Sequence, residues 1–164
     1  LVINKKIVSG ANGLGGEWSL NQMPIKEVNS NLEKSKIFGF EQRVEGYLSG
    51  KSIEKNFYSL FKKKLSAKQI FSEYRNKNDN AVKFINKYKE HLSRSLVIII
   101  TTIDPDAIVF GGGVSNEIDF LEELKLLTSG YLNEKNLKTV FLKPIYGDAS
   151  GVRGAALLGR QNLI

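Results

Sequence analysis

The chain has 164 residues, 41% of them hydrophobic, no cysteine, one histidine and a formal net charge of +7. That length suits one domain with a real core, and the absence of cysteine excludes disulfides and thiolate metal sites. The longest apolar run, Leu96 to Ile100, is far short of the roughly 20 residues a membrane span needs. Lys5 and Lys6 precede a polar, glycine-rich segment rather than the apolar core of a signal peptide. A cysteine-free chain fits a reducing compartment, so a cytoplasmic location is expected. The basic balance admits nucleic acid, anionic lipid or a phosphate-bearing ligand. Apart from the run Lys62 to Lys64, the lysines are spread through helical segments and read as solvated surface, so nucleic acid is not an expected partner. Leu1 is not methionine, and Leu1-Val2-Ile3 reads as the middle of a strand, which is expected of a fragment or of a chain whose first ordered residue is internal.

In chain order, Leu1 to Val8 predicts a β-hairpin turning at Asn4-Lys5. A loop with Gly10, Gly13, Gly15 and Gly16 follows, and Trp18 to Lys36 reads as a long irregular loop. Arg43 to Leu48 predicts a short helix, and Ser52 to Leu65 a second. Ser66-Ala-Lys-Gln69 forms a capping box for a helix through Tyr74. Asp79 or Asn80 is the expected cap of the next helix. There Val82, Ile85, Tyr88, Leu92, Leu96, Ile99 and Ile103 recur every three or four residues, and the helix must stop before Asp104-Pro105. Ala107 to Phe110 reads as a strand running into Gly111-Gly112-Gly113. Asp119 to Leu127 predicts a helix, Thr139 to Lys143 a strand, and Gly151 to Arg160 a helix whose Ala155 and Ala156 allow close packing. The order gives an α/β fold class without internal repeats.

Three segments could carry chemistry. Gly10 to Trp18 places Glu17 directly after backbone that can approach a ligand, and a carboxylate there can accept hydrogen bonds from sugar hydroxyls; a glycine-rich loop beside a glutamate can equally be only a loop. Asp104 to Ser115 runs a strand into three glycines and a serine, which suits a nucleotide phosphate or ribose at a helix start. A tight turn needs only one such glycine, and no Gly-Lys-Ser/Thr follows, so this is not a Walker A loop. Gly147 to Ala156 reads as helix packing against a sheet.

Taken together, these segments resemble the second lobe of ROK-family sugar kinases. Gly10 to Pro24 is similar to the family's Gly-Ala-Asn-Gly-Ile-Ala-Gly-Glu-Trp stretch and most like its fructokinase branch. Glu45-Gly-Tyr-Leu-Ser-Gly50 resembles the Glu-x-x-x-Ser-Gly that closes the family's cysteine-rich motif. The resemblance covers nearly the whole chain. It implies an actin-like ATPase lobe of the ribonuclease H type with a mixed sheet and packed helices, residues 1–164 forming the carboxy-terminal one of two lobes. It implies phosphoryl transfer from ATP and Mg²⁺ to a hexose hydroxyl, of fructose or a similar sugar, in a homo-oligomer. Carried over by position, Asn12, Glu17 and Glu45 are expected to contact the sugar, and Gly111, Gly112 and Gly113 the nucleotide.

The departures are specific. Leu20 stands where the family has a zinc- and sugar-contacting histidine, and the zinc cysteines align with Lys36, Phe38 and Arg43. None of these side chains can complete a tetrahedral zinc site, so no zinc is expected, and the loop from Trp18 to Phe40 is expected to be held by packing, with Trp18 and Phe38 as anchors. The single His91 lies in the long helix and is expected to pack rather than ligate. The family's catalytic aspartate belongs to the amino-terminal lobe, and Asp104, Asp106 and Asp148 belong to other motifs. The alternatives to a kinase are a sugar-binding ROK-type regulator and a degenerate lobe.

Overall fold

The computed structural model describes residues 1–24 and 42–161. Strands β1 (Val2–Ile3) and β2 (Lys6–Ile7) form an antiparallel hairpin with Val2 opposite Ile7. Asn4 and Lys5 both take positive φ, 50° and 62°, as a two-residue loop matched to right-handed strand twist requires. Then come α1 (Val44–Leu48), α2 (Gly50–Phe61), α3 (Ala67–Arg75) and the long α4 (Asp79–Ile103). After them follow β3 (Ala107–Val109), α5 (Leu121–Leu132), β4 (Val140–Leu142) and α6 (Ser150–Gln161).

Local chemistry explains the boundaries. The Ser66 hydroxyl accepts from the Gln69 amide at 3.3 Å while Gln69 Oε1 accepts from the Ser66 amide at 2.8 Å, the expected capping box. Helix α2 stops at Phe61 rather than Leu65 because Lys62 turns left-handed, φ 55°, and returns its N–H to Tyr58. Helix α4 is capped by Asn78, whose Oδ1 accepts from the Ala81 amide at 3.3 Å, one residue before the expected Asp79 and two before the expected Asn80. Lys77 has φ 60° and reverses the chain, so the helix already begins at Asp79, whose carboxylate then complements the dipole of the first turn. At the other end Asp104 is left-handed and Pro105 prevents continuation.

The core forms along α4. Ala81, Ile85 and Leu96 have no exposed surface, and they meet Ile70 and Phe71 of α3, Ile53 and Phe57 of α2 and Leu124 of α5 in one cluster. Each such large side chain contributes about 1.5–3 kcal/mol by leaving water. Phe57 meets Phe84 edge-on at 5.3 Å and Phe71 meets Tyr88 at 6.0 Å, a favoured geometry for aromatic quadrupoles. Burial pushes the Tyr88 phenol pKa up.

One cation is inside this core. Lys89 is 2% exposed. Its ammonium donates to Glu123 Oε2 at 2.6 Å and to the Tyr74 hydroxyl at 2.7 Å, and lies 4.6 Å from the Phe120 ring centre. Burial acts to lower its pKa, but the hydrogen bonds to Glu123 and Tyr74 outweigh it, and the net shift is upward.

Strands β3 and β4 pair in parallel, Ala107 with Val140, Ile108 with Phe141 and Val109 with Leu142. Ile108 and Phe141 face the helices, while Val109, Val140 and Leu142 are 56%, 47% and 43% exposed. Both pairing directions of a mixed sheet therefore occur, but among the described residues they lie in two separate two-stranded sheets. Helix α6 departs from expectation. It touches the 3-10 turn Gly147–Ala149 that precedes it, but residues 151–157, Ala155 and Ala156 among them, are exposed and share no extensive contact with a described strand.

The Lys89 geometry predicts an asymmetry between its partners. Glu123→Ala strands a buried ammonium and should cost about 2–3 kcal/mol, whereas Lys89→Met leaves a half-exposed carboxylate that water can solvate and should cost about 1 kcal/mol. Chemical denaturation of both variants checks the order.

Candidate functional site

The first glycine-rich loop folds back on the hairpin. A side chain on Gly15 would come within 2.4 Å of the Val8 carbonyl, and Gly15 N–H donates to the Ser9 carbonyl at 2.8 Å. Gly10, Gly13 and Gly16 all take positive φ. The glycines of this loop are therefore required by its own fold, and what the loop offers a ligand is its side chains. Asn12 and Glu17 are both exposed. Glu17 precedes the 3-10 turn Trp18–Leu20, whose Trp18 packs against the core.

The chain then passes to α1 through a main-chain clasp. Gln22 and Arg43 form an antiparallel bridge, Met23 N–H donates to the Gln42 carbonyl at 2.9 Å, and Val44 N–H donates to the Asn21 carbonyl at 2.9 Å. Met23 is buried beneath the clasp at 7% exposure and Val44 at 1%. The sequence predicts that packing holds this region, with Trp18 and Phe38 as anchors. Trp18 does pack; Phe38 and Lys36 lie outside the described residues; and the backbone pairing with Met23 is an addition that the sequence does not foretell. Its signal is faint, since a single bridge leaves no alternating pattern.

Glu45 follows one residue after the clasp, in the first turn of α1, and is half-buried. Its segment is fixed from two sides. The Glu45 carbonyl accepts from Ser52 Oγ at 2.9 Å, and Ser49, which caps α2, donates its hydroxyl to Ser52 Oγ at 2.8 Å. Asn56 Nδ2 donates to the Gly46 carbonyl at 3.3 Å. On the other side the Tyr47 ring meets His91 of α4 edge-on at 5.2 Å, so the single histidine is a packing residue, as expected. Among the described residues neither the Glu17 nor the Glu45 carboxylate has a hydrogen-bond or ion-pair partner.

The second motif differs from the nucleotide-loop grammar read from sequence. The three glycines enter a four-residue 3-10 turn, Gly113–Asn116, not an α-helix, and α5 starts only at Leu121. Ser115 is 4% exposed and donates its hydroxyl to the Gly112 carbonyl at 2.6 Å, so it closes the turn instead of facing a ligand. Of the three glycines only Gly112 has positive φ, 86° with ψ 171°, a conformation essentially reserved to glycine. A side chain placed on any of them meets nothing within 4 Å. Among the described residues the space in front of the turn is thus open, and Gly111 and Gly113 answer to no described neighbour.

These pieces converge. A side chain on Gly50, at the start of α2, would stand 3.5 Å from Val114 Cγ2, which brings the α1–α2 junction to the glycine turn. Gly147 comes within 3.8 Å of Asn116 Oδ1 by the same measure, which brings the third motif to the same place. Two open surface depressions, one beside Tyr74, Phe120 and Lys143 and one beside Lys51, Tyr58 and Lys64, include none of the candidate residues. Among the described residues no group of three or more His, Asp or Glu side chains could hold a metal ion. Leu20 and Arg43, at two aligned zinc positions, offer no ligand of the kind zinc takes. The open glycine turn does fit a nucleotide, which backbone can approach closely there.

The fold is an actin-like ATPase lobe: it superposes on a ROK hexokinase from Thermus thermophilus with a TM-score of 0.77 at 21% identity, over 96% of this chain and 51% of that one. The sequence matches the ROK family over residues 1–162, and the chain belongs to that family. It is 35% identical to an N-acetyl-D-glucosamine kinase from Histophilus somni, over 96% of this chain and 53% of that protein. It also superposes on a ROK family glucokinase from Streptomyces griseus, solved with glucose and AMPPNP, with a TM-score of 0.63 at 22% identity over 73% of this chain and 45% of that one. The chain spans about half the length of the curated relatives it matches.

The glycine turn generates a stability test independent of any ligand. Gly112→Ala should cost about 1–3 kcal/mol through backbone strain, while Gly111→Ala and Gly113→Ala should stay within about 0.5 kcal/mol of the wild type. Thermal unfolding of the three variants reads the difference.

Proposed function

We propose that the intact protein transfers a phosphoryl group from ATP·Mg²⁺ to a hydroxyl of a hexose, with this chain as its carboxy-terminal lobe. The observation that carries the reading is the pair of unpartnered carboxylates, Glu17 and Glu45, on two segments that the main-chain clasp joins in a member of the ROK family. Carboxylates without internal partners are suited to accept hydrogen bonds from sugar hydroxyls, and Asn12, on the same loop as Glu17, offers both a donor and an acceptor. Gly111 to Gly113 leave room for the nucleotide, and Mg²⁺ would arrive with its phosphates rather than be held by this lobe. Phosphoryl transfer rests on positioning and charge stabilisation, and this chain supplies the positioning of the acceptor; the base belongs to the amino-terminal lobe.

Two features support the two-lobe arrangement. A parallel sheet is normally covered on both faces, yet Val109, Val140 and Leu142 leave one face of β3–β4 bare, and Val152 and Leu157 of α6 are 76% and 63% exposed. Those apolar surfaces suit a second layer. As to the sugar, the N-acetyl-D-glucosamine kinases among the relatives favour an N-acetylated hexosamine over the fructose that the sequence motifs alone suggest.

The test is a coupled assay of ADP release by the intact protein with N-acetylglucosamine, glucose and fructose. N-acetylglucosamine should turn over best, and Glu17→Ala and Glu45→Ala should each lower kcat/KM at least tenfold, about 1.4 kcal/mol. Faster turnover of fructose would restore the fructokinase reading, and sugar binding without any ADP release would favour a regulator.

A further inference from the structure

The clasp between Asn21–Met23 and Gln42–Val44 has a consequence for the site. It joins, through main-chain hydrogen bonds, the two segments that carry Glu17 and Glu45. Glu17 lies four residues before its first strand-like residue, and Glu45 one residue after its last. The 3-10 turn Trp18–Leu20 fills the first gap, and α1 begins at once on the other side. A change in the pairing of residues 21–23 with 42–44 therefore changes the relation of one carboxylate to the other. Met23, the one methionine in the sequence, is the plug: its amide closes the pairing, and its side chain joins the core cluster at 7% exposure.

We propose that this clasp, with Met23 as its positioning residue, sets the spacing of Glu17 and Glu45 and so the affinity for the sugar. The inference rests on the reading that those two carboxylates take the sugar. Preorganised groups bind more tightly because less ordering remains to be done on binding, and a misplacement of about 1 Å is enough to lose much of the benefit of positioning. Neither Met23 nor Val44 has a side-chain group for hydroxyl recognition, so their effect must pass through the two glutamates.

The sharpest probe is Val44→Pro. Val44 is the first residue of α1, where proline is well tolerated because its φ suits the helix and the helix itself does not use that N–H. Arg43 before it is extended, φ −80° and ψ 161°, as a residue preceding proline prefers. The substitution thus deletes the hydrogen bond to the Asn21 carbonyl while keeping the helix. Met23→Ala empties the plug, and Met23→Leu refills it with similar volume.

Binding of N-acetylglucosamine and of a non-hydrolysable ATP analogue to the intact protein is measured by calorimetry for these variants and for Glu17→Ala and Glu45→Ala. Val44→Pro and Met23→Ala should weaken the sugar by about fivefold or more while the nucleotide stays within about twofold, and Met23→Leu should restore the sugar affinity. Wild-type sugar affinity in Val44→Pro and Met23→Ala, with weak binding in the glutamate variants, would overturn the positioning role and leave the site intact. Wild-type sugar affinity in Glu17→Ala and Glu45→Ala would overturn the sugar site, and the positioning role with it.

Discussion

Ala81, Ile85, Leu92 and Leu96 line α4 with at most 3% exposure each, and α1, α3 and α5 all pack on that helix. The site depends on this seam. Helix α1 is only Val44–Leu48, far too short to be stable alone. It exists because Val44 and Leu48 are buried in the core and Tyr47 meets His91 on α4. Glu45 points to no partner of its own because the residues on either side of it do the anchoring. Half-buried and without a partner among the described residues, the Glu45 carboxylate is free to accept hydrogen bonds from water or from an external hydroxyl, which is the physical ground for treating it as a candidate site residue.

The same logic separates the two glycine clusters. In the first, each glycine is explained by the turn or by the close approach of Val8, so its presence says little about a ligand. In the second, among the described residues, only Gly112 is explained from within. Read from sequence, both clusters are backbone that could approach a ligand, since glycine content does not reveal whether the crowding neighbour is the chain itself or something else. The three-dimensional arrangement makes that distinction and moves the weight of the nucleotide argument to Gly111 and Gly113.

Elements with strong local signals are legible in the sequence. The hairpin at Asn4-Lys5, the Ser66 capping box, the 25-residue α4 and the short α1 all follow from turn chemistry, capping or periodicity. Boundaries set by a single left-handed residue, as at Lys62 and Lys77, are not legible, because lysine carries no preference for that conformation. The buried Lys89 is also hidden. Its helix position reads as one more solvated lysine, and only the arrival of Tyr74, Phe120 and Glu123 from neighbouring segments makes it part of the core. The clasp is hidden for a related reason: it joins segments distant in sequence through main-chain atoms, which the side chains do not announce. Helix α6 fails in the opposite direction, since its small residues signal packing against a partner that the described residues do not include.

The proposed function turns on a sugar meeting this chain at Glu17 and Glu45. Backbone amide NMR of the intact protein, titrated with N-acetylglucosamine, addresses it without altering a residue. Shifts concentrated at Asn12, Glu17, Trp18 and the amides of Glu45 and Gly46 are expected. Shifts confined to another surface, such as the depression lined by Lys51, Tyr58 and Lys64, would contradict it.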